Sequence, residues 1–527
     1  MNGKLLFQKS TINNRKLIFS FKSIYLVSII LIFSNSIFAD GRPNIIFLLT
    51  DDQTAIATGC YGNDQVQTPN MDKLAAEGVR FANYYNTTAI CMASRASIMT
   101  GMYEYKVGCN FMHGPMKPEK FEQSYPVLLR NAGYYTGFAG KFGFAVSDGE
   151  SWNDKTWDVL PVDAFDKWGG GLGQTNYKTE KNKYIQQYAN KYPHSSRAYG
   201  AWAHDFIKDA QASGKPFCMS ISFKAPHLPF TPDEYFDAIY KDKKYLKPEN
   251  YGTENTEHLA PQAKTGRQYK EYEFWRESEE SYQEAIKKYN QLIHGVDYAI
   301  GMIRKSLEEQ EVADNTIIIF TGDNGYSCGA HNFAGKVLPY EEASKSPLII
   351  FDPRFVHSQR GVVRERVAGN IDMAPTILSF AGVPVPNNMD GENLIPLLNN
   401  EKGINRETIA LLNMWGNDEI QEMAIVSKDW KYIYWQYADD RMQPTEELFN
   451  IGNDRLEMEN KINAKKSSKA LKTMQKLYDN QVAHIKANAL PYHDYEKYAI
   501  LFNRKAKASD KKPYLTGTYD EMKNKKK

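Results

Sequence analysis

Four short and nearly continuous apolar segments constrain the fold of this chain most strongly. They are Asn44–Leu49, Phe217–Phe223, Thr316–Phe320 and Leu348–Phe351. Runs of this kind are typical of strands that are buried on both faces of a parallel sheet. A long helical pattern lies between the second and the third run, with apolar residues three and four apart from Tyr282 to Leu307. Strands that alternate with helices predict an α/β fold with helices on both faces of the sheet.

The pattern changes after about residue 382. Short strand-like runs at Met423–Ser427 and Trp430–Trp435 are separated by turns, and a helical pattern follows at Ser468–Ala487. This arrangement predicts a smaller α+β domain with a short antiparallel sheet. The expected organisation is a catalytic α/β domain at residues 40–400, a C-terminal α+β subdomain at 401–490, and a basic, partly disordered tail at 491–527.

Residues 1–39 have the composition of a secretory signal peptide. They contain five basic and no acidic residues, and their apolar run Ile24–Phe33 is too short to span a bilayer. We expect cleavage after Ala39 and export to the periplasm or beyond, with no membrane span in the mature chain. A permanent N-terminal anchor is the alternative. Removing the five positive charges takes the formal net charge from +2 to −3, so nothing suggests a nucleic-acid partner.

The segment Cys91-Met-Ala-Ser-Arg95 places a cysteine where an anion would bind. Ala93–Met99 is predicted to form the first turns of a helix, so Cys91 would lie just before its N-terminus. The free N–H groups and the positive end of the helix dipole favour a sulfate or a phosphate there, and Arg95 can turn back to the same oxyanion. The five cysteines of the chain are an odd number for an exported protein, which indicates a free or reactive thiol. A buried cysteine at an ordinary helix start is the alternative.

Oxygen-bearing side chains follow two of the predicted strands. Asp51 and Asp52 come after the first apolar run, and Asp323 and Asn324 come after the third. In open α/β sheets ligands bind beyond the carboxyl ends of the strands. Three carboxylates and an amide oxygen at one edge repel each other unless a hard cation lies between them, and Ca2+ suits an all-oxygen set better than Mg2+.

The stretch from Cys91 to Gly101 closely resembles the signature of the formylglycine-dependent (type I) sulfatases, a family of the alkaline-phosphatase-like superfamily. The resemblance implies a large domain of the alkaline-phosphatase-like fold and a smaller C-terminal domain. It also implies a maturation enzyme that oxidises Cys91 to Cα-formylglycine, whose hydrated aldehyde is the nucleophile. The positions that match the family's ligands for one Ca2+ ion are Asp51, Asp52, Cys91, Asp323 and Asn324.

Further segments match the family in the same order. They are Gly140–Lys141, Ala225–Pro229, and Gly329–Lys336 followed by Tyr340-Glu341-Glu342. The resemblance implies that Ca2+, the arginine and the two lysines neutralise the sulfate oxygens, and that one of two histidines protonates the departing alkoxide. The expected catalytic residues are Cys91, Arg95, Lys141, His227, His331 and Lys336.

One position departs from the family pattern. The family has a histidine two residues after the motif lysine, where this chain has Gly143. That histidine contacts the formylglycine hydrate. We expect His113 or His331 to take over part of its work, because histidine can accept a proton near neutral pH. A loop position without a partner is the alternative for His113.

These features predict an exported sulfatase that acts on a sulfated polysaccharide or its oligosaccharides. The segment Ser151–Trp202 is rich in Trp, Tyr and Gly, which is typical of a loop insertion pinned by aromatic packing or of a rim on which sugars stack. An algal glycan of the ulvan or carrageenan type is therefore the expected substrate class. The alternatives are a phosphatase, phosphodiesterase or phosphonate monoester hydrolase of the same superfamily, and a non-catalytic protein that binds sulfated glycans.

Overall fold

The large domain is built on one eight-stranded sheet. The computed structural model describes residues 41–149, 159–171, 173–400, 402–403, 406–415 and 419–515. The predicted signal segment 1–39 lies outside these residues. The strands are β1 (Asn44–Asp51), β2 (Val79–Tyr85), β3 (Tyr135–Lys141), β4 (Lys167–Gly171), β5 (Phe217–Pro226), β6 (Thr316–Gly322), β7 (Leu348–Phe351) and β8 (Val362–Gly369). Their order is β4-β3-β5-β1-β6-β7-β2-β8, and neighbours are parallel except at β7, which runs antiparallel to β6 and β2.

Helices cover both faces of this sheet. Side chains of the central strand β1 alternate between the two faces of the sheet, and both faces are apolar. Ile45 and Phe47 belong to one apolar core, and Ile46 and Leu48 belong to another. The α-helices of the described residues are α1 (Pro69–Glu77), α2 (Cys91–Thr100), α3 (Glu104–Val107), α4 (Pro118–Phe121), α5 (Tyr125–Asn131), α6 (Ser195–Ser213), α7 (Asp237–Tyr240), α8 (Arg267–Lys270), α9 (Glu279–Glu309), α10 (Glu341–Ser344), α11 (Met373–Phe380), α12 (Ile395–Asn399), α13 (Ser468–Asn488), α14 (Tyr498–Leu501) and α15 (Ala508–Lys511). Helices α2, α5 and α11 cover the first core, and α1, α6 and α9 cover the second.

A second, smaller sheet follows in the C-terminal part. It contains β9 (Thr408–Asn413), β10 (Ile420–Ser427), β11 (Lys431–Tyr437) and β12 (Thr445–Phe449), all antiparallel, in the order β12-β11-β10-β9. Helix α13 buries Met474, Tyr478 and Ile485 in the core that this sheet shares. The predicted α/β class with a small antiparallel C-terminal sheet is confirmed. Among the described residues no helix has the length and apolarity needed to cross a membrane.

Residues 491–515 are the described part of the predicted basic, partly disordered tail, and they pack against the C-terminal core. Tyr495, Tyr498, Leu501 and Phe502 are fully buried in the C-terminal core. Lys511 is buried as well and donates to Leu501 O at 2.7 Å. Aromatic and aliphatic anchors among the basic residues therefore hold this segment in place, although its overall composition is polar. The rest of the predicted tail, 516–527, lies outside the described residues.

Candidate active site

The register of the sheet brings the predicted metal ligands together. Strands β1 and β6 pair from Asn44 with Thr316 to Thr50 with Gly322, so the residues that follow leave the sheet side by side. The backbone N–H of Asp52 donates to Asp323 Oδ1 at 3.2 Å, and Asn324 Nδ2 donates to Asp52 Oδ1 at 2.7 Å. All four side chains of this oxygen cluster are buried, namely Asp51, Asp52, Asp323 and Asn324.

Three cationic side chains are paired with the three carboxylates of this cluster. The pairs are Arg95 Nε with Asp323 Oδ2 at 2.8 Å, Lys141 Nζ with Asp51 Oδ2 at 2.5 Å, and Lys336 Nζ with Asp52 Oδ1 at 2.5 Å. Arg95 comes from α2, Lys141 from the end of β3, and Lys336 from the loop after β6. Residues from four separate parts of the chain therefore meet at the carboxyl edge of the sheet.

Two oxygens of the cluster fit a hard cation. Asp51 Oδ1 and Asn324 Oδ1 are buried and accept no hydrogen bond, and buried acceptors without a partner are costly. Burial favours the neutral acid, but Lys141 and then His227 hold the pKa of Asp51 well below its usual value. Burial and the nearby charge of Asp51 raise the pKa of Asp323 to about 7. An added divalent cation would satisfy both orphan oxygens and favour the ionised form of Asp323.

Cys91 lies at the N-terminus of α2, close to the cations of this cluster. It is the first residue of α2, and the preceding Ile90 supplies no side-chain cap. The N–H groups of the first turn are therefore free to bind an anion. Cys91 is only 2% exposed and is a free thiol. It is within electrostatic reach of Arg95 and Lys336.

Arg95 has one nitrogen left for a ligand. Its Nη1 donates to Lys141 O at 2.6 Å and to Ser222 Oγ on β5. Its Nη2 is buried, lies 3.5 Å from Asp51 Oδ2, and has no hydrogen-bond partner. The guanidinium is thus fixed on two sides, and its unpaired N–H groups remain available to an oxyanion.

The structure gives a physical reason for the departure at Gly143. This residue has φ +89°, a backbone conformation that residues with side chains rarely adopt. A Cβ there would come within 2.5 Å of Arg95 Cδ. Arg95 therefore occupies the space that any side chain at position 143 would need, and the family histidine does not fit without a local rearrangement.

His227 is the predicted histidine that the structure brings to the cluster. Its Nε2 lies 3.7 Å from Asp52 Oδ2, and its Nδ1 is hydrogen-bonded to Leu228 O at 2.6 Å. Because a backbone carbonyl only accepts, Nδ1 carries the proton and Nε2 faces the cluster. Burial lowers the pKa of His227 to about 4. Its ligand atom also lies within 4.8 Å of those of Asp51 and Asp52.

His331 is held in a different set of contacts. It is fully buried, and its Nδ1 lies 3.3 Å from Asn255 O. Its nearest acidic partners are Glu342 and Glu457, whose ligand atoms lie within 4.8 Å of it and of each other. Among the described residues its hydrogen bonds and this acidic group contain no member of the Asp51 cluster.

His113 is engaged with the C-terminal part of the chain. Its Nδ1 lies 2.7 Å from His493 O, and its Nε2 lies 2.8 Å from Met414 O and 3.0 Å from Tyr498 OH. It is 6% exposed, and burial lowers its pKa to about 4. Both ring nitrogens have partners, which favours a structural role over the catalytic one expected from the sequence.

We predict that His113→Ala lowers stability and spares the chemistry. Loss of a buried, hydrogen-bonded ring should cost about 2–4 kcal/mol in the free energy of unfolding. Thermal denaturation and rapid-quench kinetics on a sulfate ester would test this. His204→Ala, at a half-buried histidine, is the matched control. Accumulation of a covalent sulfo-enzyme in the His113 variant would contradict the structural role.

Two polar residues of the site are not indicated by any sequence motif. Lys224 on β5 is 4% exposed, and its Nζ donates to Gln174 O at 3.0 Å. The side-chain oxygen of Gln174 accepts from Lys141 Nζ at 2.6 Å. Burial lowers the pKa of Lys224 to about 8, and it is within electrostatic reach of Cys91. A single lysine at the end of an otherwise buried strand is the only sequence signal for this residue.

Family models and known proteins match most of this chain. A family model described as Sulfatase matches residues 43–383, and one described as N-sulphoglucosamine sulphohydrolase, C-terminal, matches residues 329–484. An N-acetylglucosamine-6-O-sulfatase of Bacteroides thetaiotaomicron is 30% identical over 425 residues, which cover 68% of this chain and 71% of the relative. An ulvan-active sulfatase of Formosa agariphila is 24% identical over 448 residues, or 81% of each chain.

Solved structures share the fold. One, described as a complex with its substrate D-glucosamine-2-N,6-O-disulfate, has a TM-score of 0.69 and 26% identity and covers 86% of this chain and 99% of its own. A phosphonate monoester hydrolase of Agrobacterium radiobacter has a TM-score of 0.67 at 21% identity and covers 84% of this chain and 96% of its own. At this level of identity, the similarity to the phosphonate monoester hydrolase shows a shared fold only.

Proposed function

Since the chain belongs to the sulfatase family and is a sulfuric ester hydrolase, we propose that it removes sulfate from a sulfated carbohydrate. Residue 91, as Cα-formylglycine made by a maturation enzyme, would be the nucleophile, and one Ca2+ ion would be the cofactor. The observation that carries this proposal is the meeting of Cys91, the free end of Arg95 and the oxygen cluster at one sheet edge. The signal segment supports export to the periplasm or beyond.

The residues that would hold the ion are Asp51, Asp52, Asp323, Asn324 and the modified residue 91. The two orphan oxygens described above support this assignment. When bound, the ion polarises the sulfate oxygens, and the modified residue 91 supplies an activated oxygen nucleophile. The chain's own cations then determine how the sulfate is oriented.

Three cations would bind the sulfate. Arg95 Nη2 has no hydrogen-bond partner, so its donors can bind an oxyanion. Lys141 uses two of its three N–H donors, on Asp51 and Gln174, and Lys336 uses one on Asp52. Each lysine therefore keeps a donor for a sulfate oxygen. Fixed donors of this kind stabilise the charge that develops in the transition state.

His227 is the better supported acid for the departing alkoxide. Its Nε2 faces the cluster, whereas the contacts of His331 lie with Glu342 and Glu457. An anionic sulfate ester bound next to His227 adds negative charge, which favours the protonated imidazole. The imidazolium can then donate to the leaving oxygen. His331 remains the second candidate for this role.

We predict that His227→Gln slows the hydrolysis of esters with poor leaving groups. General acids contribute about 10²–10⁴-fold, and the loss should be largest for sugar sulfates and small for 4-nitrophenyl sulfate, whose leaving group needs no proton. A plot of log kcat/KM against leaving-group pKa would become steeper in the variant. His331→Gln should leave the slope unchanged. Equal losses on both ester types would exclude the acid role of His227.

Matched sulfate, phosphate and phosphonate esters test the proposed function against its rivals. We expect matured enzyme to prefer the sulfate ester by a large margin in kcat/KM. A preference for the phosphate or phosphonate ester would favour the rival hydrolases of the same superfamily. Binding of sulfated oligosaccharides without turnover of any ester would favour the non-catalytic alternative, for which Gly143 is the one supporting position.

A further inference from the structure

A groove of about 760 Å³ opens beside the candidate active site. Its described lining combines apolar side chains, among them Val159 and Leu160, with polar ones, among them Asn176, Lys181 and Lys183. We call this feature the side groove. Its volume is in the range of pockets that hold small organic ligands. A lining that contains both apolar and polar side chains suits a sugar ring, which has apolar faces and hydroxyl edges.

Gln174 joins the side groove to the catalytic centre. It lines the groove, and its side-chain oxygen accepts from Lys141 Nζ at 2.6 Å. Lys141 Nζ in turn lies 2.5 Å from Asp51 Oδ2. The backbone oxygen of Gln174 also accepts from the buried Lys224. A substrate whose sulfate lies at Lys141 would therefore have its neighbouring part close to Gln174 and the side groove.

The charged side chains among the described lining residues of the side groove are both lysines. Lys181 and Lys183 are exposed, and neither has a carboxylate partner among the described residues. The described lining of the groove contains no aspartate or glutamate. Lys183 Nζ lies 4.9 Å above the ring of the half-buried Tyr184, which leaves its ammonium hydrogens available to a ligand. These charges favour an anionic group on the ligand.

Thr175, another residue of the side groove's lining, has a strained backbone. Its φ is +51°, and a β-branched residue in the left-handed region is uncommon. Such strain is concentrated at functional sites.

We propose that the side groove binds the sugar unit next to the sulfated one, and that this unit carries an anionic group paired with Lys181 and Lys183. The anionic group is a carboxylate or a second sulfate, because both present the same charged oxygens to lysine. The inference rests on the proposed function and deepens it. It makes the substrate a sulfated oligosaccharide with a charged neighbouring unit rather than a small aryl sulfate.

The test compares three disaccharides that share one sulfated unit. Their neighbouring units are neutral, carry a carboxylate, or carry a second sulfate, and 4-methylumbelliferyl sulfate serves as the small substrate. In Lys181→Ala/Lys183→Ala we expect KM to rise about tenfold for the charged disaccharides, as for the loss of one favourable ion pair. The neutral disaccharide and the aryl sulfate should keep their KM and kcat within about twofold. The charged disaccharide whose KM rises more in the double variant shows whether the natural anionic group is a carboxylate or a second sulfate.

Lys178→Ala is the matched control. Lys178 is also exposed, but it lines a separate cavity with Pro193 and His194, so all four substrates should behave as with the parent enzyme. An unchanged KM for the charged disaccharides in the double variant would overturn the inference. An equal rise in KM for the neutral disaccharide would also overturn the inference. If the parent enzyme released sulfate from none of the four substrates, the proposed function itself would fail.

Discussion

Cys91→Ala should reduce the turnover of a sulfate ester by at least about 10⁴-fold, since removal of a catalytic nucleophile costs up to about 10⁶-fold in well-studied hydrolases. The variant keeps Arg95, both lysines and the oxygen cluster, so binding of the ester should change little. Steady-state kinetics of sulfate release, together with equilibrium binding of the substrate, would separate the two effects.

Cys328→Ala is the control for this substitution. Cys328 is another buried free thiol, so the variant tests whether the loss of any buried cysteine reduces activity through stability. We expect it to retain most of the parent rate at temperatures below its melting transition. Retention of more than a few per cent of activity by Cys91→Ala would remove residue 91 from the mechanism.

Removal of the metal ion, or Asp323→Asn, should reduce turnover by about 10³-fold or more. The charge that holds the sulfate oxygens is lost, and losing even one preorganised donor costs about 10²–10³-fold. The readout that is independent of activity is stability. In the parent enzyme, Ca2+ at 100 times its Kd should stabilise the fold by about 2.7 kcal/mol. That stabilisation should be absent in Asp323→Asn.

The second buried acidic group provides the control for the metal site. It contains His331, Glu342 and Glu457. Glu342→Gln should leave both the Ca2+-dependent rise in melting temperature and the calcium stoichiometry intact. Full turnover by chelated, metal-free enzyme would contradict the calcium assignment. A loss of the calcium effect in Glu342→Gln alone would move the ion to the second group.

Four of the eight strands of the large sheet, and the oxygen cluster, could be predicted from the sequence because they depend on local patterns. The runs beginning at Asn44, Phe217, Thr316 and Leu348 are apolar throughout, so burial on both faces follows from composition. Parallel strands end at one edge of a sheet, and this places Asp51 beside Asp323 without any knowledge of side-chain positions. The family resemblance then supplied the chemistry of Cys91.

The partners of the histidines could not be predicted because they depend on long-range packing. His113 bonds to His493, which is 380 residues away along the chain, and no local pattern indicates such a contact. His331 belongs to a segment that matches the family, yet its acidic neighbours, Glu342 and Glu457, come from α10 and from the loop after β12. The exclusion of a side chain at Gly143 depends on the position of Arg95 Cδ. Only the three-dimensional packing fixes that distance.

The most direct test measures sulfate release against the fraction of residue 91 that is converted to formylglycine. Preparations with different degrees of conversion are obtained by varying co-expression of a maturation enzyme, and mass spectrometry of the peptide containing residue 91 gives the converted fraction. The account predicts that the rate of sulfate release from a sulfated oligosaccharide rises in proportion to this fraction and extrapolates to zero for unmodified Cys91. An equal rate from fully unmodified protein would contradict it.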